Sequence, residues 1–480
     1  MSGCPGNFAA TLRQDKTSYL ISCAHPKNLG TNQLKKIMLH TIAGLRQGLL
    51  DKSTHLKISE GLTQFPIEIL ELADTLEVLD LAGNQLSQLP DDFSCLKHLK
   101  ILFLSDNKFE QFPSVLAACP ELSMIGFRGN RMKSVAENSL PVTTRWLILT
   151  DNLISKLPQS IGQLPKLQKL MLAGNQLTQI PESIQNCRNL QLLRISANQL
   201  TQLPDAIFAL PELSWLAFSG NPFCQSQATS TMDLPGISWS GIDQGDTLGQ
   251  GASGVISKAT WRDDAHTLAN ATQQVVVKQY KGSLTSDGYS ADELAAVVLA
   301  GQHENLIPLV AKIEDNNHTG LLMRQISADF KNLGQPPSMQ SCTRDQFDEG
   351  LQLSGTDILK IAVQVISVMQ HLLEKCICHG DLYAHNILVN PEADILLSDF
   401  GAASSYRALT DKQAHAMQKI EVRAFGCLLD DLLTTCDSRK SKLPVLLEDL
   451  KDRCMQATIS NRPTFDVIVA ELKNMQKVHF

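Results

Sequence analysis

Cys378-His379-Gly380-Asp381-Leu382-Tyr383-Ala384-His385-Asn386-Ile387-Leu388-Val389, followed by Leu397-Ser398-Asp399-Phe400-Gly401, decides how the C-terminal half of this 480-residue chain is read. The first run has the form H-x-D-L-x-x-x-N and the second the form D-F-G. Asp381 and Asn386 are five positions apart, and Asp399 lies eighteen past Asp381. Asp and Asn are common turn residues, so D-F-G alone would fit an incidental turn. The two motifs in this order, between apolar strand-like runs, argue against that.

The pair resembles the catalytic loop and the metal-binding loop of the eukaryotic-type protein kinase family. The resemblance implies phosphoryl transfer, in which each residue type has a task. A carboxylate must accept the proton of the attacking hydroxyl, which suits Asp381. Oxygen ligands must hold Mg²⁺, or Mn²⁺ in its place, against the triphosphate, which suits Asp399 and the amide of Asn386. Upstream, Leu248-Gly249-Gln250-Gly251-Ala252-Ser253-Gly254-Val255-Ile256 resembles the family's glycine-rich loop, and Leu248, Gly249, Gly251, Gly254 and Ile256 become ATP-binding candidates. Glycines let backbone approach phosphates and bend over them. The same spacing marks dinucleotide-binding folds. Here the strand-like Val275-Val276-Val277-Lys278 follows, rather than a helix and a ribose-binding acid. Lys278 matches the kinase lysine that contacts the α- and β-phosphates. Its expected partner is Glu293, on a helix over 290–300, with Asp292 as the fallback. The plainer account of Glu293 is an exposed acid favoured by a helix dipole. Met323, in the strand-like Gly320–Ile326, would sit near the adenine or simply fill the core. The long gap from Gly254 to Lys278 predicts a hairpin insertion around 261–273. Residues 327–355, with Pro336 and Pro337, read as a surface excursion.

Residues 356–377 read as a helix running into the catalytic loop. Glu421–Leu429 resembles the family's buried helix F, and Asn461-Arg462-Pro463-Thr464-Phe465 the end of its C-lobe. The resemblance covers 243–480, and it departs from the family in the part that handles substrate. Gly380 stands where many kinases carry the arginine that pairs a phosphorylated activation-loop residue. Only nineteen residues separate Gly401 from Glu421, and no A-P-E motif occurs, so the usual peptide dock is cut short. Glu421 replaces the Asp that begins helix F. Arg462 lacks its A-P-E glutamate, and Glu421 is the guess for a substitute partner. Tyr383 replaces a lysine common in Ser/Thr kinases. The nucleotide set of Lys278, Glu293, Asp381, Asn386 and Asp399 is complete.

The N-terminal half repeats itself. Leu76-Glu77-Val78-Leu79-Asp80-Leu81-Ala82-Gly83-Asn84-Gln85-Leu86-Ser87-Gln88-Leu89-Pro90 fits L-x-x-L-x-L-x-x-N-x-L-x-x-L-P, and the frame places Asn at 84, 107, 130, 152, 175, 198 and 221. The steps are 23, 23, 22, 23, 23 and 23; one frame earlier, Leu56–Pro66 fits with Gly61 in the Asn place. This resembles about eight leucine-rich repeats over 55–224. One repeat cannot bury its own leucines, so neighbours must stack into an α/β solenoid. The asparagines are expected to bond backbone groups of adjacent turns, a structural ladder rather than a binding site. Alternation along the strands gives a concave row of Val78, Ile101, Met124, Trp146, Lys169, Leu192 and Trp215. A second row holds Asp80, Phe103, Gly126, Ile148, Met171, Arg194 and Ala217. These rows are apolar for an exposed face. A protein partner is expected around Phe103, Trp146, Met171 and Trp215; packing against the kinase-like region is the alternative.

The domain reading is therefore an N-terminal segment over 1–54 with a capping helix at 32–50, the solenoid over 55–224, a linker over 225–242, and a two-lobed α+β kinase-like domain with N-lobe 243–326 and C-lobe 327–480. The net charge of −7 gives no support for nucleic-acid binding. No eighteen-residue apolar run and no basic-then-apolar leader is apparent, so neither a membrane span nor a secretory signal is expected. Twelve scattered cysteines form no zinc or disulfide spacing, which suits reduced thiols in the cytoplasm. The expected activity is ATP-dependent transfer to a protein hydroxyl, serine or threonine ahead of tyrosine. The alternatives are an interaction scaffold whose kinase-like half binds nucleotide with little transfer, and phosphotransfer to a small molecule.

Overall fold

The leucine frame becomes eight three-residue strands: β1 (His55–Lys57), β2 (Val78–Asp80), β3 (Ile101–Phe103), β4 (Met124–Gly126), β5 (Trp146–Ile148), β6 (Lys169–Met171), β7 (Leu192–Arg194) and β8 (Trp215–Ala217). They form one parallel sheet in sequential order in the computed structural model. The structure describes residues 40–227, 234–251, 254–262, 272–282, 284–315, 318–436 and 442–479. The central residue of every strand, from Leu56 through Ile125 to Leu216, is buried in a continuous core. The proline that ends the repeat frame starts the return turn. Pro66, Pro90, Pro113, Pro158 and Pro181 each precede a 3-10 helix, with φ near the value the pyrrolidine ring imposes.

The asparagine ladder holds the stack. Asn107 accepts from the Leu86 N–H at 2.8 Å and donates to the carbonyls of Leu81 at 2.9 Å and Leu104 at 3.1 Å. Asn130, Asn152, Asn175, Asn198 and Asn221 repeat the pattern. The residue before each ladder asparagine has positive φ: Gly83, Asp106, Gly129, Asp151, Gly174, Ala197 and Gly220. Glycine or a short acid fills six of these seven places, as that conformation favours. Of the helix expected over 32–50, residues 32–39 lie outside the described residues. The described part is a short helix, Ile42–Arg46, capped by Thr41. Its Leu45, with Leu50, closes the first end of the solenoid core.

The second half begins with a six-stranded sheet: β9 (Gly236–Ile237), β10 (Ile242–Gln250), β11 (Gly254–Arg262), β12 (Thr272–Tyr280), β13 (Leu309–Glu314) and β14 (Thr319–Arg324). The spatial order is β10-β11-β12-β14-β13-β9. Because β9 pairs with β13 and Leu234 is buried, the later part of the stretch read as a linker over 225–242 belongs to the N-lobe. The hairpin insertion expected around 261–273 falls mostly on 263–271, outside the described residues.

Helix α1 (Ser290–Ala300) packs on this sheet, and α2 (Gly355–Glu374), α3 (Asp411–Thr434), α4 (Lys442–Cys454) and α5 (Phe465–His479) build the C-lobe. Ser354 and Asp357 form a capping box that starts α2. By length and composition α2 could cross a membrane, although no such run was expected from the sequence. In this fold it is the central core helix, with Ile358, Leu359, Ile361, Val365, Val368 and Leu372 buried.

Helix α3 departs from expectation. It starts at Asp411, capped by Thr410, so Glu421 lies in its third turn rather than at its start. The short activation segment is spent on a two-residue strand, Ser404–Ser405, that pairs with Ile377–Cys378.

Residues 40–480 form one compact unit, and solenoid and C-lobe share core. Cys378, Tyr406, Met417 and Ile420 join the solenoid cluster, while Leu192 and Trp215 of the concave face join the C-lobe cluster.

Candidate active site

The glycine-rich loop is the β10–β11 hairpin, with Ala252 and Ser253 outside the described residues. The Gly251 N–H donates to the Gly254 carbonyl at 2.9 Å. A Cβ on Gly249 or Gly251 would meet nothing within 4 Å, so the backbone there borders open space; on Gly254 it would lie 2.4 Å from the Gln279 carbonyl oxygen. Leu248 is exposed, and Ile256 lies directly across from Lys278 in the β11–β12 ladder. Met323 is half-buried on β14, paired with Val276 of the lysine strand.

Lys278 Nζ donates to Glu293 Oε1, and both side chains are almost wholly buried. Burial alone would disfavour the Lys278 ammonium, but the Asp399 and Glu293 carboxylates together keep it charged. Glu293 is pushed upward by that burial, against the pull of Lys278, and its second oxygen has no partner. The fallback acid Asp292 turns elsewhere, towards Gly220 of the solenoid, and burial raises its carboxyl to about 6.

Asp399 adopts a left-handed φ of 56° that few non-glycine residues tolerate, and its Oδ1 accepts from the Gly401 N–H at 3.1 Å. Phe400 behind it is buried beside His379. Protein groups surround Asp399 while its surface stays open to solvent. Burial would raise this carboxyl, but Lys278, the Gly401 N–H and His379 hold it below the ordinary range.

Asn386 donates to Asp381 Oδ2 and to the Asp381 carbonyl, both at 2.9 Å. That leaves its amide oxygen as the free end. One carboxylate and one amide oxygen are a donor set that suits a hard divalent cation held partly by phosphates, and the nearby Lys278 ammonium suits the phosphates themselves, so these residues fit Mg²⁺ with ATP.

Several departures from the kinase pattern coincide with contacts to the solenoid. Gly380 has φ 70°, and a Cβ there would lie 2.7 Å from the Ala402 carbonyl oxygen and 2.8 Å from that of Leu216, so an arginine cannot stand at this position. A solenoid arginine takes its place. Arg194, 1% exposed, donates through Nη1 to the Gly380 carbonyl at 3.0 Å, through Nε to Asp287 Oδ1 at 2.7 Å, and through Nη2 to Asp381 Oδ1. Tyr383 stacks on Trp215 with ring centroids 4.4 Å apart, and the Trp215 indole N–H donates to the Leu382 carbonyl at 3.1 Å. Ser404 Oγ accepts from the Phe218 and Ser219 N–H groups at 3.0 and 3.1 Å.

Arg462 does not pair with Glu421, contrary to the guess from sequence. It donates to the carbonyls of Pro211 at 2.6 Å, Gln456 at 2.9 Å and Lys419 at 3.0 Å. Glu421 instead accepts from the His379 and Gly380 N–H groups at 2.8 and 3.2 Å, holding the catalytic loop from below. Arg423 on α3 bonds the Glu212 carboxylate and its carbonyl.

The stretch over 327–355, expected as a surface excursion, also docks on the concave face. Cys342 packs against Met124 and Trp146. Arg145 donates to the carbonyls of Met339 and Gln340, and Lys169 to that of Cys342 while its ammonium lies 4.2 Å from the Trp146 ring centre. Arg344 fastens the other side of the excursion to Asp430 and Asp431 of α3.

The expectation of a separate partner around Phe103, Trp146, Met171 and Trp215 is thereby corrected. Trp146 and Trp215 are buried by this chain's own second half, and Met171 and Phe103 are half-buried beside them. Sequence reasoning placed Arg194 in a concave row without a role and passed over Asp287, Glu212 and Arg423. The available signal was a lone arginine in an apolar row, set against a glycine where the loop should have an arginine.

Comparison with known proteins matches residues 242–435 to the protein tyrosine and serine/threonine kinase family, and residues 73–132 and 143–200 to leucine-rich repeats. Fibroblast growth factor receptor 1 of Pleurodeles waltl is 25% identical over 276 residues, covering 48% of this chain and 34% of the receptor. Angiopoietin-1 receptor of Danio rerio is 25% identical over 294 residues, 51% of this chain and 25% of the receptor. Cyclin-dependent kinase 1 of Encephalitozoon cuniculi is 26% identical over 156 residues, 32% of this chain and 47% of that kinase. The chain thus spans a quarter to a half of the length of these relatives. Among solved structures, a leucine-rich-repeat protein of Leptospira interrogans aligns with TM-score 0.36 and 29% identity, covering 38% of this chain and 47% of that one. The chain joins a leucine-rich-repeat solenoid to a domain of the protein tyrosine and serine/threonine kinase family.

Proposed function

We propose that the kinase-family domain transfers the γ-phosphate of ATP to a hydroxyl of a protein, serine or threonine ahead of tyrosine. The observation that carries this reading is the buried Lys278–Glu293 pair facing Asp399, since a costly buried charge set is retained where phosphates would bind. Lys278, held by Glu293, orients the α- and β-phosphates, and the open backbone of Gly249 and Gly251 covers them. Asp381 positions the acceptor hydroxyl and takes its proton. Asp399 and the Asn386 amide oxygen would hold Mg²⁺ or Mn²⁺, which when bound neutralises charge on the transferring phosphoryl group. Protein contacts of the solenoid fall to the surface its own kinase domain leaves open. Among the described residues the cysteines are free thiols, which supports a cytoplasmic setting.

The test is incorporation of labelled γ-phosphate with Mg²⁺ or Mn²⁺, comparing wild type with Asp381→Ala and Asp399→Asn. Removal of the general base is expected to lower the rate about a hundredfold to ten-thousandfold, with the fold intact by thermal melting. Equal label in all three would refute the assignment. One observation favours a second reading, a nucleotide-binding scaffold: both Asp381 oxygens are already bonded, and Trp215 covers Tyr383. Under that reading a single-turnover assay shows bound nucleotide and no Asp381-dependent transfer.

A further inference from the structure

We propose that Arg194 is a positioning residue for phosphoryl transfer: the solenoid supplies, from another part of the chain, the arginine that the catalytic loop lacks at Gly380. The inference rests on the reading of Asp381 as the acceptor-binding carboxylate.

The geometry has three parts. Arg194 is fully buried and spends all three guanidinium nitrogens on this one junction: Nε on Asp287, Nη1 on the Gly380 carbonyl and Nη2 on Asp381. A planar fork with fixed donors restricts the carboxylate it binds more than a lysine could. With Asn386 on the other oxygen, the Asp381 carboxylate is held from both ends. The second part is that Arg194 bridges the lobes. Asp287 lies just before α1, the helix that carries Glu293, and a Cβ on Gly401 would come within 3.9 Å of Asp287 Cβ. One side chain therefore fixes the catalytic loop relative to the segment leading into the Lys278–Glu293 pair.

The third part separates positioning from a removable block. Around Arg194 the contact is not a detachable plug. Trp215 and Leu192 are part of the C-lobe core, and the Gly380 site is shaped to the Leu216 backbone. Opening this junction would expose that core to water, where each large apolar side chain costs free energy. A switch that must release its brake is poorly served by such a surface. A permanent strut is well served, and it replaces the function of the shortened activation segment.

The experiment measures kcat, KM for ATP and nucleotide affinity on the full chain for wild type, Arg194→Ala, Arg194→Lys, Asp287→Asn and Arg145→Ala. Arg194→Ala is expected to lose about tenfold or more in kcat while KM for ATP and nucleotide affinity stay within about twofold, because the nucleotide groups are untouched. Added guanidinium ion at non-denaturing concentration restores part of the rate in Arg194→Ala and none in Asp381→Ala. Arg194→Lys falls between wild type and Arg194→Ala, and it carries the test should the alanine variant fail to fold. Asp287→Asn loses less than Arg194→Ala. Arg145→Ala breaks a solenoid–domain contact away from the loop, so it lowers melting temperature without changing kcat. Wild-type kcat in Arg194→Ala and Arg194→Lys overturns the inference and leaves the kinase reading standing. A rise in kcat also overturns it, showing the arginine to be a block. Absence of Asp381-dependent turnover in wild type overturns both.

Discussion

Strands β2 and β3 at one end of the solenoid sheet and β7 and β8 at the other present equivalent positions of one repeat, yet their concave residues meet different surroundings. Val78, Ile101 and Phe103 are half-buried, whereas Leu192, Arg194 and Trp215 are 3%, 1% and 1% exposed. The repeat decides which side chains face the hollow of the solenoid. What lies across from them is decided by complementarity with residues far along the chain: Arg194 with Gly380 and Asp381, Trp215 with Tyr383, and Glu212 with Arg423. One end of the solenoid is a repeat array. The other end shares its core with the kinase-family domain.

The strongest way to break this contrast is Gly380→Arg, which restores what many kinases carry. With φ at 70° and two carbonyl oxygens under 3 Å from a Cβ, the substitution is expected to cost about 4 kcal/mol or more, measured by chemical denaturation. A neutral result would mean that the solenoid backbone is not seated on the loop. Next, Trp215→Ala should cost about 3–5 kcal/mol as a large buried aromatic. Phe103→Ala, at a position that keeps part of its surface exposed, should cost less than Trp215→Ala, about 2–3 kcal/mol. Similar losses at both positions would erase the distinction between the ends. The ladder supplies the matched control. Asn107→Ala and Asn198→Ala should each cost about 2–3 kcal/mol, since either leaves buried backbone groups without a partner. Unequal ladder costs would place the difference in the repeat itself rather than in what covers it.

Much of this was readable in advance, for local reasons. The asparagines at 84 to 221 and the leucines around them act on neighbours one turn away, so their spacing alone dictates the stack. The H-x-D-L-x-x-x-N and D-F-G runs likewise carry their geometry within a few residues, and Glu293 lies on the helix where its pairing with Lys278 was expected. The rest was hidden because it is long-range. No period marks Arg194 as a partner of a loop 187 positions away, and nothing local says that Cys342 would fill the hollow beside Trp146. The glycine at 380, the tyrosine at 383 and the missing A-P-E read as losses while the domain was considered alone. Gly380 and Tyr383 become fitted surfaces once the solenoid is in place. Arg462, without its A-P-E glutamate, shows the same lesson, since a solenoid carbonyl at Pro211 is one of its acceptors.

Hydrogen exchange on the folded 480-residue chain tests the central claim most directly, by following the amides of His379–Tyr383 in wild type, Trp215→Ala and Phe103→Ala. If the last repeats hold the catalytic loop, Trp215→Ala speeds exchange there about tenfold or more, each tenfold reporting about 1.4 kcal/mol of lost local stability, while Phe103→Ala leaves it unchanged. Wild-type protection of the loop in Trp215→Ala would contradict the account and return the solenoid to the role of a separate recruiting module.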